Sequence, residues 1–274
     1  MAPSAAPLVN VLRLSRFPIY HQLLLEEALL RGTKSNWCIV NDGAFTPAIV
    51  MGISGRANEL INVQQASDAG IQVIKRFTGG GTVIVDQDTI FATLIMQGED
   101  APGVQPFPQP IMAWSEGLYA SVFRPLGEFS LRENDYVFEQ RKFGGNAQAI
   151  TGKRWLHHTS FLWDYQSENM GLLKQPPRAP QYRQGRLHSD FITRLSEIVP
   201  DRGSIVAGIA AAPGLAGFET QVLLFYACVS GGPQGVVTLA EAAAAVSKHI
   251  GTRLVGTKLV DLQAELAKAA GAPT

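Results

Sequence analysis

The chain reads as an α+β protein on three observations. Runs rich in β-branched and aromatic residues recur through its middle, cut by glycine- and proline-bearing turns. Helical periodicity is confined to a few separate segments. Two glycine clusters, at 79–81 and 144–145, fall at the ends of strand-like runs rather than at the start of a helix.

With 274 residues and 46% hydrophobic composition, one principal core is expected. Basic and acidic residues both number 23, so the chain has no polyelectrolyte character and a broad nucleic-acid-binding surface is not expected. Cys38 and Cys228 cannot build a disulfide framework and match no metal spacing, which makes a reducing compartment the default. No apolar run approaches the roughly 20 residues of a membrane span, so a soluble protein is expected. Arg13 and Arg16, with no acidic residue before Glu26, give the N-terminus a faint transit-peptide character. The expected location is cytoplasmic, with mitochondrion or plastid as the alternative.

Ile19 to Arg31 carries Ile19, Leu23, Leu24, Ala28 and Leu29 at helical spacing, with Gln22, Glu26 and Glu27 off that face and Gly32 as the stop. Trp37 to Val40 and Ala48 to Gly52 read as strands, split by Asp42-Gly43 and Pro47. Cys38 lies inside the first as a small buried hydrophobe. Ala66 to Gly70 ends a short helix, and Ile111 to Phe123 is the second main helix. Ser130 to Gln148 returns to strand character, and Trp155 to Tyr165 has the density of a central strand. The stretch 173–186 holds three prolines and three arginines in fourteen residues and reads as a basic loop. His188 to Ile198 is expected to be helical, VLLFYACV around Cys228 a strand, and Leu239 to Ile250 and Leu259 to Ala269 helices.

Within KRFTGGGTVIVDQDTIFATLIM, from Lys75 to Met96, three consecutive glycines stand between two strand-like runs. Such glycines are kept where the backbone needs positive φ or where another molecule approaches closely. Arg76, three residues before Gly79, sets positive charge beside exposed N–H groups, an arrangement that suits an anion. The plain alternative is a β-hairpin with a glycine bulge.

A second constellation follows: Asn134-Asp135, Lys142 before Gly144-Gly145, then His157-His158-Thr159. A lysine ahead of a double glycine can hold its ammonium over bare backbone and stabilise developing negative charge, or it is a solvated strand-end lysine. The two histidines project to opposite faces of a strand and so do not share one metal. The arginines of the basic loop either clamp phosphate bidentately or are solvated.

In this order and spacing, KRFTGGGTVIVD, Asn134-Asp135, KFGGNAQ and LHHTSFLWD resemble the lipoate-protein ligase A branch of the biotin/lipoate ligase family. That family's pattern is approximately R-R-x-(S/T)-G-G-G-(A/T)-V-(F/Y)-H-D, N-D, K-(I/V)-(S/G)-G-(N/S)-A and H-H-G-T-L-L. The resemblance covers about residues 13 to 190. It implies a mixed β-sheet flanked by helices, as in the class II aminoacyl-tRNA synthetase and biotin protein ligase catalytic domains. Residues 13–200 would form that domain, and 201–274 a short extension of it rather than a full accessory domain.

The implied chemistry activates lipoate or octanoate with ATP and Mg2+ to an acyl-AMP. The acyl group then passes to a lysine of a lipoyl domain of a 2-oxoacid dehydrogenase or of glycine-cleavage H protein. Lys142 matches the family's catalytic lysine. Arg76, Thr78, Gly79, Gly80, Gly81, Thr82, Val83 and Ile84 match the loop that lines acyl chain and nucleotide. Asn134 and Asp135 fall near magnesium and nucleotide, and Gly145, Asn146, Ala147, His158 and Thr159 complete the implied site. The basic loop matches the segment that closes over the adenylate. Lys75 and Val85 stand where the family has arginine and histidine, and the short C-terminal part leaves adenylation open to a separate accessory subunit.

Two other functions stay in view. An ATP-independent octanoyl or lipoyl transferase would need a cysteine nucleophile in a polar loop, and both cysteines sit in apolar runs. A noncatalytic acyl- or nucleotide-binding module would not need Lys142.

Overall fold

Residues 6–175, 179–224 and 256–269 are described in a computed structural model. Strand β1 (Leu8–Ser15) leads through helix α1 (Ile19–Gly32) to strand β2 (Asn36–Asp42). β1 and β2 pair in parallel, so α1 is their crossover and lies against the sheet. Strand β3 (Ala48–Met51), short helices α2 (Ala57–Leu60) and α3 (Val63–Asp68), and strand β4 (Gln72–Lys75) repeat the pattern, with β3 and β4 parallel.

Beyond the glycines, strand β5 (Val83–Val85) pairs antiparallel with the other side of β3. The strands flanking the glycine loop therefore never meet, because β3 lies between them. The hairpin alternative is excluded: the loop crosses over the end of β3.

Strand β6 (Thr89–Gln97) enters the larger sheet, followed by helix α4 (Pro108–Phe123), which carries proline in its first turn where no N–H is needed. Strands β7 (Phe129–Arg132), β8 (Asp135–Phe138), β9 (Arg141–Thr151) and β10 (Arg154–Leu162) form an antiparallel meander. Helices α5 (Ser167–Met170), α6 (His188–Phe191) and α7 (Arg202–Leu215) lead to strand β11 (Glu219–Leu224), parallel to β1. The eight-stranded order is β11-β1-β2-β6-β10-β9-β8-β7. Strand β12 (Lys258–Leu259) edges β4 in the small sheet, and helix α8 (Leu262–Ala269) follows it. This is the expected mixed sheet flanked by helices.

The faces of the large sheet are distinct. Val11, Val40, Leu94, Trp155 and Phe161 pack against α4 and α7. Leu12, Ile39, Ile95 and Leu156 pack against Leu25 and Leu29 of α1. On the α4 face the core is aromatic, with Phe123 fully buried and its ring centroid 4.9 Å from Phe143 and 5.1 Å from Phe161.

One polar network enters that core. His157 is fully buried, and Gln148 Nε2 donates to its Nδ1 at 2.9 Å, leaving the ring proton on Nε2 beside Ser115 Oγ at 3.2 Å and Thr159 Oγ1 at 3.3 Å. Burial, and secondarily the neighbouring His158, push His157 down to about 3.

Several elements differ from expectation. β1 and α7 are not foreseen; α7 contains Gly203, Gly208, Gly214 and Pro213, yet Asp201 caps it by accepting the N–H groups of Gly203 and Ser204. The helix expected over 188–198 stops at Phe191, because Ile192 bridges Lys142 and the Thr193 N–H bonds the Lys142 carbonyl at 2.8 Å. β10 ends at Leu162 rather than Tyr165, and the last helix begins at Leu262 because Lys258–Leu259 is strand. Cys228 and the helix expected over 239–250 lie outside the described residues. Among the described residues, no helix is long and apolar enough to cross a membrane.

Two outcomes follow from this packing. Phe123→Ala should lower unfolding free energy by about 3–5 kcal/mol, read from the denaturant midpoint. His157 takes up no proton in the fold until about pH 3, whereas in the unfolded chain it titrates near 6.5, so its contribution is present above pH 6.5 and lost as pH falls through that window. His157→Gln should therefore show a shallower loss of stability between pH 6 and 4, by up to about 1.4 kcal/mol per pH unit.

Candidate functional site

The glycine loop is shaped from within by Arg76, which is 3% exposed. Its Nε donates to Thr78 Oγ1 at 2.8 Å and Gly79 O at 3.3 Å, its Nη1 to Val50 O at 3.2 Å, and its Nη2 to the carbonyls of Gly79 and Gly81, each at 2.8 Å. Burial pulls the guanidinium down to about 10, with the Glu26 charge opposing, so it stays a cation at neutral pH. The sequence suggests this charge beside an anion; at contact range its donors are committed to its own loop and to Val50 of β3.

The consequence reaches the outer side of the loop indirectly. In a trans peptide C=O and N–H point oppositely, so drawing the Gly79 and Gly81 carbonyls inward turns the N–H groups of Gly80 and Thr82 away from Arg76. Gly80 and Gly81 are exposed at the tip, Thr82 and Val83 are half-buried, and Ile84 is buried. Gly80 has φ +98°, and a Cβ there would lie 2.8 Å from Arg76 Nη2. A Cβ on Gly52 below would lie 2.2 Å from Gly80 O. The Gly79 N–H bonds Gln148 O at 3.1 Å, which fastens the loop to β9.

On β9 a bulge sorts the chemistry from the core. Tyr136 pairs with Gly144 and Val137 with Lys142, leaving Phe143 as the extra residue. Phe143 is fully buried, and a Cβ on Gly144 would meet the Phe161 and Tyr136 rings, so both face the core. Lys142 and Gly145 therefore share the other face, and a Cβ on Gly145 would lie 3.1 Å from Lys142 Nζ. The ammonium does lie over bare backbone. It pairs with Asp135 Oδ1 at 2.8 Å, with side-chain exposures of 23% and 6%.

Cross-strand register extends this face. Asp135, Gly145, Ser160 and Phe91 form one row, and Ala147, His158 and Thr93 the next. A Cβ on Gly80 would lie 3.1 Å from Ala147 Cβ, so the glycine loop sits over the second row. His158 Nδ1 lies 3.0 Å from Glu26 Oε2, while Thr93 and Gln22 bond Glu26 Oε1 at 2.7 and 2.9 Å.

Lys142, Asp135, Gly145, Ala147, His158 and the glycine loop thus meet on one face. By alternation Asn146 and Thr159 project to the opposite face, where Thr159 donates to Asn146 Oδ1 at 2.6 Å and Asn146 to Asn134 O at 3.0 Å. Asn134 lies exposed at the β7–β8 turn.

Two residues are not evident from the sequence. Helical spacing puts Glu26 off the packed face of α1, yet it is fully buried against the sheet; polar residues four apart in a leucine-rich helix, Gln22 and Glu26, are the signal for it. Tyr182 in the basic loop donates its hydroxyl to Asp135 Oδ2 at 2.8 Å. Arg183 and Arg186 exchange Nε-to-carbonyl bonds of 3.1 Å, and both lie over the Phe191 ring.

Among the described residues no group of three His, Cys, Asp or Glu side chains could hold a metal. A magnesium ion here would be carried chiefly by nucleotide phosphates and water, which suits its habit, with Asp135 as the nearby carboxylate. Cys38 is 1% exposed, and burial pushes its thiol up to about 12. Surface cavities of about 230 and 470 Å³ lie elsewhere, against Phe45 and Asp86 and against Pro102 and Phe218.

The family described as lipoyl protein ligase A/B catalytic domain matches residues 18–208. An inactive lipoate–protein ligase 2 of Plasmodium falciparum is 26% identical over 246 residues, covering 68% of this chain and 63% of that protein. Lipoate-protein ligase LplJ of Bacillus subtilis is 30% identical over 120 residues, covering 43% of this chain and 34% of that protein. The chain thus spans less than two thirds of the length of these curated relatives. A lipoate-protein ligase A solved with bound ATP has a TM-score of 0.66 at 13% identity, covering 91% of this chain and 95% of that one. A bipartite lipoate protein ligase from Thermoplasma acidophilum has a TM-score of 0.65 at 14% identity, covering 91% and 93%. These structures share the fold. With the family match running from α1 into α7, through the glycine loop and Lys142, this chain belongs to the lipoyl protein ligase A/B catalytic domain family.

Proposed function

We propose that this protein activates lipoate, or octanoate, with ATP and transfers the acyl group to a lysine of a lipoyl-carrier domain. The observation that carries this reading is the Lys142 ammonium held over Gly145, on the face that the glycine loop overhangs. In the first step an acid carboxylate oxygen bonds to the α-phosphorus and pyrophosphate leaves. In the second, an acceptor lysine amine bonds to the acyl carbon and AMP leaves, with loss of a proton.

Both steps change charge at the junction of acyl carboxyl and phosphate. A fixed cation beside that junction stabilises the transition state more than the ground state. In this reading Lys142, held by Asp135, faces the junction, and the outward N–H groups of Gly80 and Thr82 face phosphate. Thr78, Val83 and Ile84 support that loop, and His158 lines the row beneath it. Lipoyl domains of 2-oxoacid dehydrogenases or H protein are the acceptors, and an accessory subunit is the candidate partner for adenylation. The inactive name belongs to the Plasmodium relative; the Lys142 ammonium held over Gly145 supports turnover here. The thiol-based transferase finds no support in Cys38, which is buried and protonated.

Intact-mass analysis of a lipoyl-domain acceptor, incubated with this protein and lipoate or octanoate, should show the acyl increment only when magnesium-ATP is supplied. Transfer from an acyl-carrier donor without ATP, surviving Lys142→Ala, would sink the ligase reading. Lys142→Ala should lower acyl-AMP formation at least about 100-fold, the scale of losing one preorganised electrostatic donor. Gly145→Ala, whose methyl would crowd Nζ, should lower it about tenfold by displacing the ammonium, measured as pyrophosphate release.

A further inference from the structure

Asp135 is a small carboxylate with two partners on two elements. Its Oδ1 holds Lys142 Nζ at 2.8 Å, and its Oδ2 accepts the Tyr182 hydroxyl at 2.8 Å. Asp135 is 4% exposed, so neither oxygen has ready access to water. The terminal torsion of an aspartate is broad and nearly two-fold; it is these two contacts, one on each oxygen, that fix the carboxylate plane.

Tyr182 is itself firmly seated. Its N–H bonds Glu133 Oε1 at 3.1 Å, and Arg132 stacks on its ring at 5.3 Å. Arg186 ties the same turn to Gln140 O at 3.0 Å and to Tyr182 O at 2.9 Å. Burial, and then the Asp135 charge, push the Tyr182 phenol up, so it remains a protonated donor.

We infer that Tyr182 is a positioning residue for Lys142, acting through Asp135: docking of the 179–186 turn orients the carboxylate that holds the ammonium over Gly145. Without the hydroxyl, Oδ2 is left buried with no donor, the carboxylate turns to recover one, and Lys142 loses its fixed place. The loop thereby reports its docked state to the catalytic cation. This deepens the ligase reading and rests on it for its catalytic consequence, although the coupling itself is a property of the free protein.

The test uses the full-length chain with Tyr182→Phe, which keeps the ring and its stacking, with Asp135→Asn, and with the double variant. Dilute isotopic acetic anhydride followed by peptide mapping reads how freely the Lys142 amine reacts. Lys153, whose side chain is 81% exposed, serves as the internal reference. Lys142 labelling should rise about tenfold in Tyr182→Phe relative to Lys153, the order set by one charge-assisted hydrogen bond, and should rise no further in the double variant than in Asp135→Asn alone. Acyl-AMP formation in Tyr182→Phe should fall about tenfold in kcat with KM for lipoate within about twofold, again without additivity to Asp135→Asn. Unchanged Lys142 labelling in Tyr182→Phe, or effects of the two substitutions that add, would overturn the inference. If the wild-type protein makes no acyl-AMP, alone or with an accessory subunit supplied, the ligase reading fails while the labelling arm still decides the coupling.

Discussion

A buried guanidinium is an expensive thing to leave without a carboxylate at contact distance, and Arg76 lies 97% out of solvent with only backbone carbonyls and one hydroxyl around it. What makes it tolerable is that the loop folds around it: five hydrogen bonds satisfy all three nitrogens, and Glu26 adds a more distant opposing charge. Removing the cation would orphan the carbonyls of Gly79 and Gly81 together. The glycines are required because the backbone must both turn inward to this centre and pass within contact of β3 and β9. Positive φ at Gly80 and the lack of space above Gly52 express the same constraint.

The bulge in β9 solves a second problem, how a strand can supply an aromatic contact to the core and a cation to the opposite face within two residues. Regular alternation would put Lys142 and Gly144 on one face. The extra residue at Phe143 shifts that register, so the ring reaches Phe123 and Phe138 while the lysine falls over Gly145. A side chain at position 145 would crowd the ammonium, its Cβ lying 3.1 Å from Nζ. The core and the cradle are thus fixed by one irregularity, and a change that repaired the bulge would misplace both.

What the sequence made legible and what it hid follow from the range of the interactions. Glycine triplets, a lysine before paired glycines, and helical periodicity in α1 and α4 are local signals, and each has its counterpart in the structure. The faces of the site were less legible. Asn146 and Thr159 stand beside true face residues in the sequence, but period-two alternation turns them toward the His157 network. Arg76 beside three glycines suggests a charge facing an anion, because the inward turn of the loop carbonyls is set by a crossover that no local pattern reveals. α7 was hidden by its glycines and proline, whose cost is offset by an Asp201 cap and by packing of Ile205 and Ile209 against the sheet. Tyr182 gave no signal at all, since its partner lies 47 positions away.

Helix α1 joins these parts through two adjacent carboxylates. Glu26 faces the large sheet and gathers Thr93, Gln22 and His158. Glu27, also fully buried, accepts the N–H groups of Gly256 and Thr257 at 3.1 Å each and pairs with Arg31 at 3.0 Å. That grip delivers Lys258 and Leu259 to the edge of β4, the strand that runs directly into Arg76, and a Cβ on Gly256 would strike Phe77. The far end of the chain is therefore built against the root of the glycine loop, and β4 gains a hydrogen-bonded neighbour on the side that β3 does not cover. A loop whose tip stands exposed needs stems held on both sides, and consecutive acids on one helix provide that by anchoring the sheet beneath and the segment beside it.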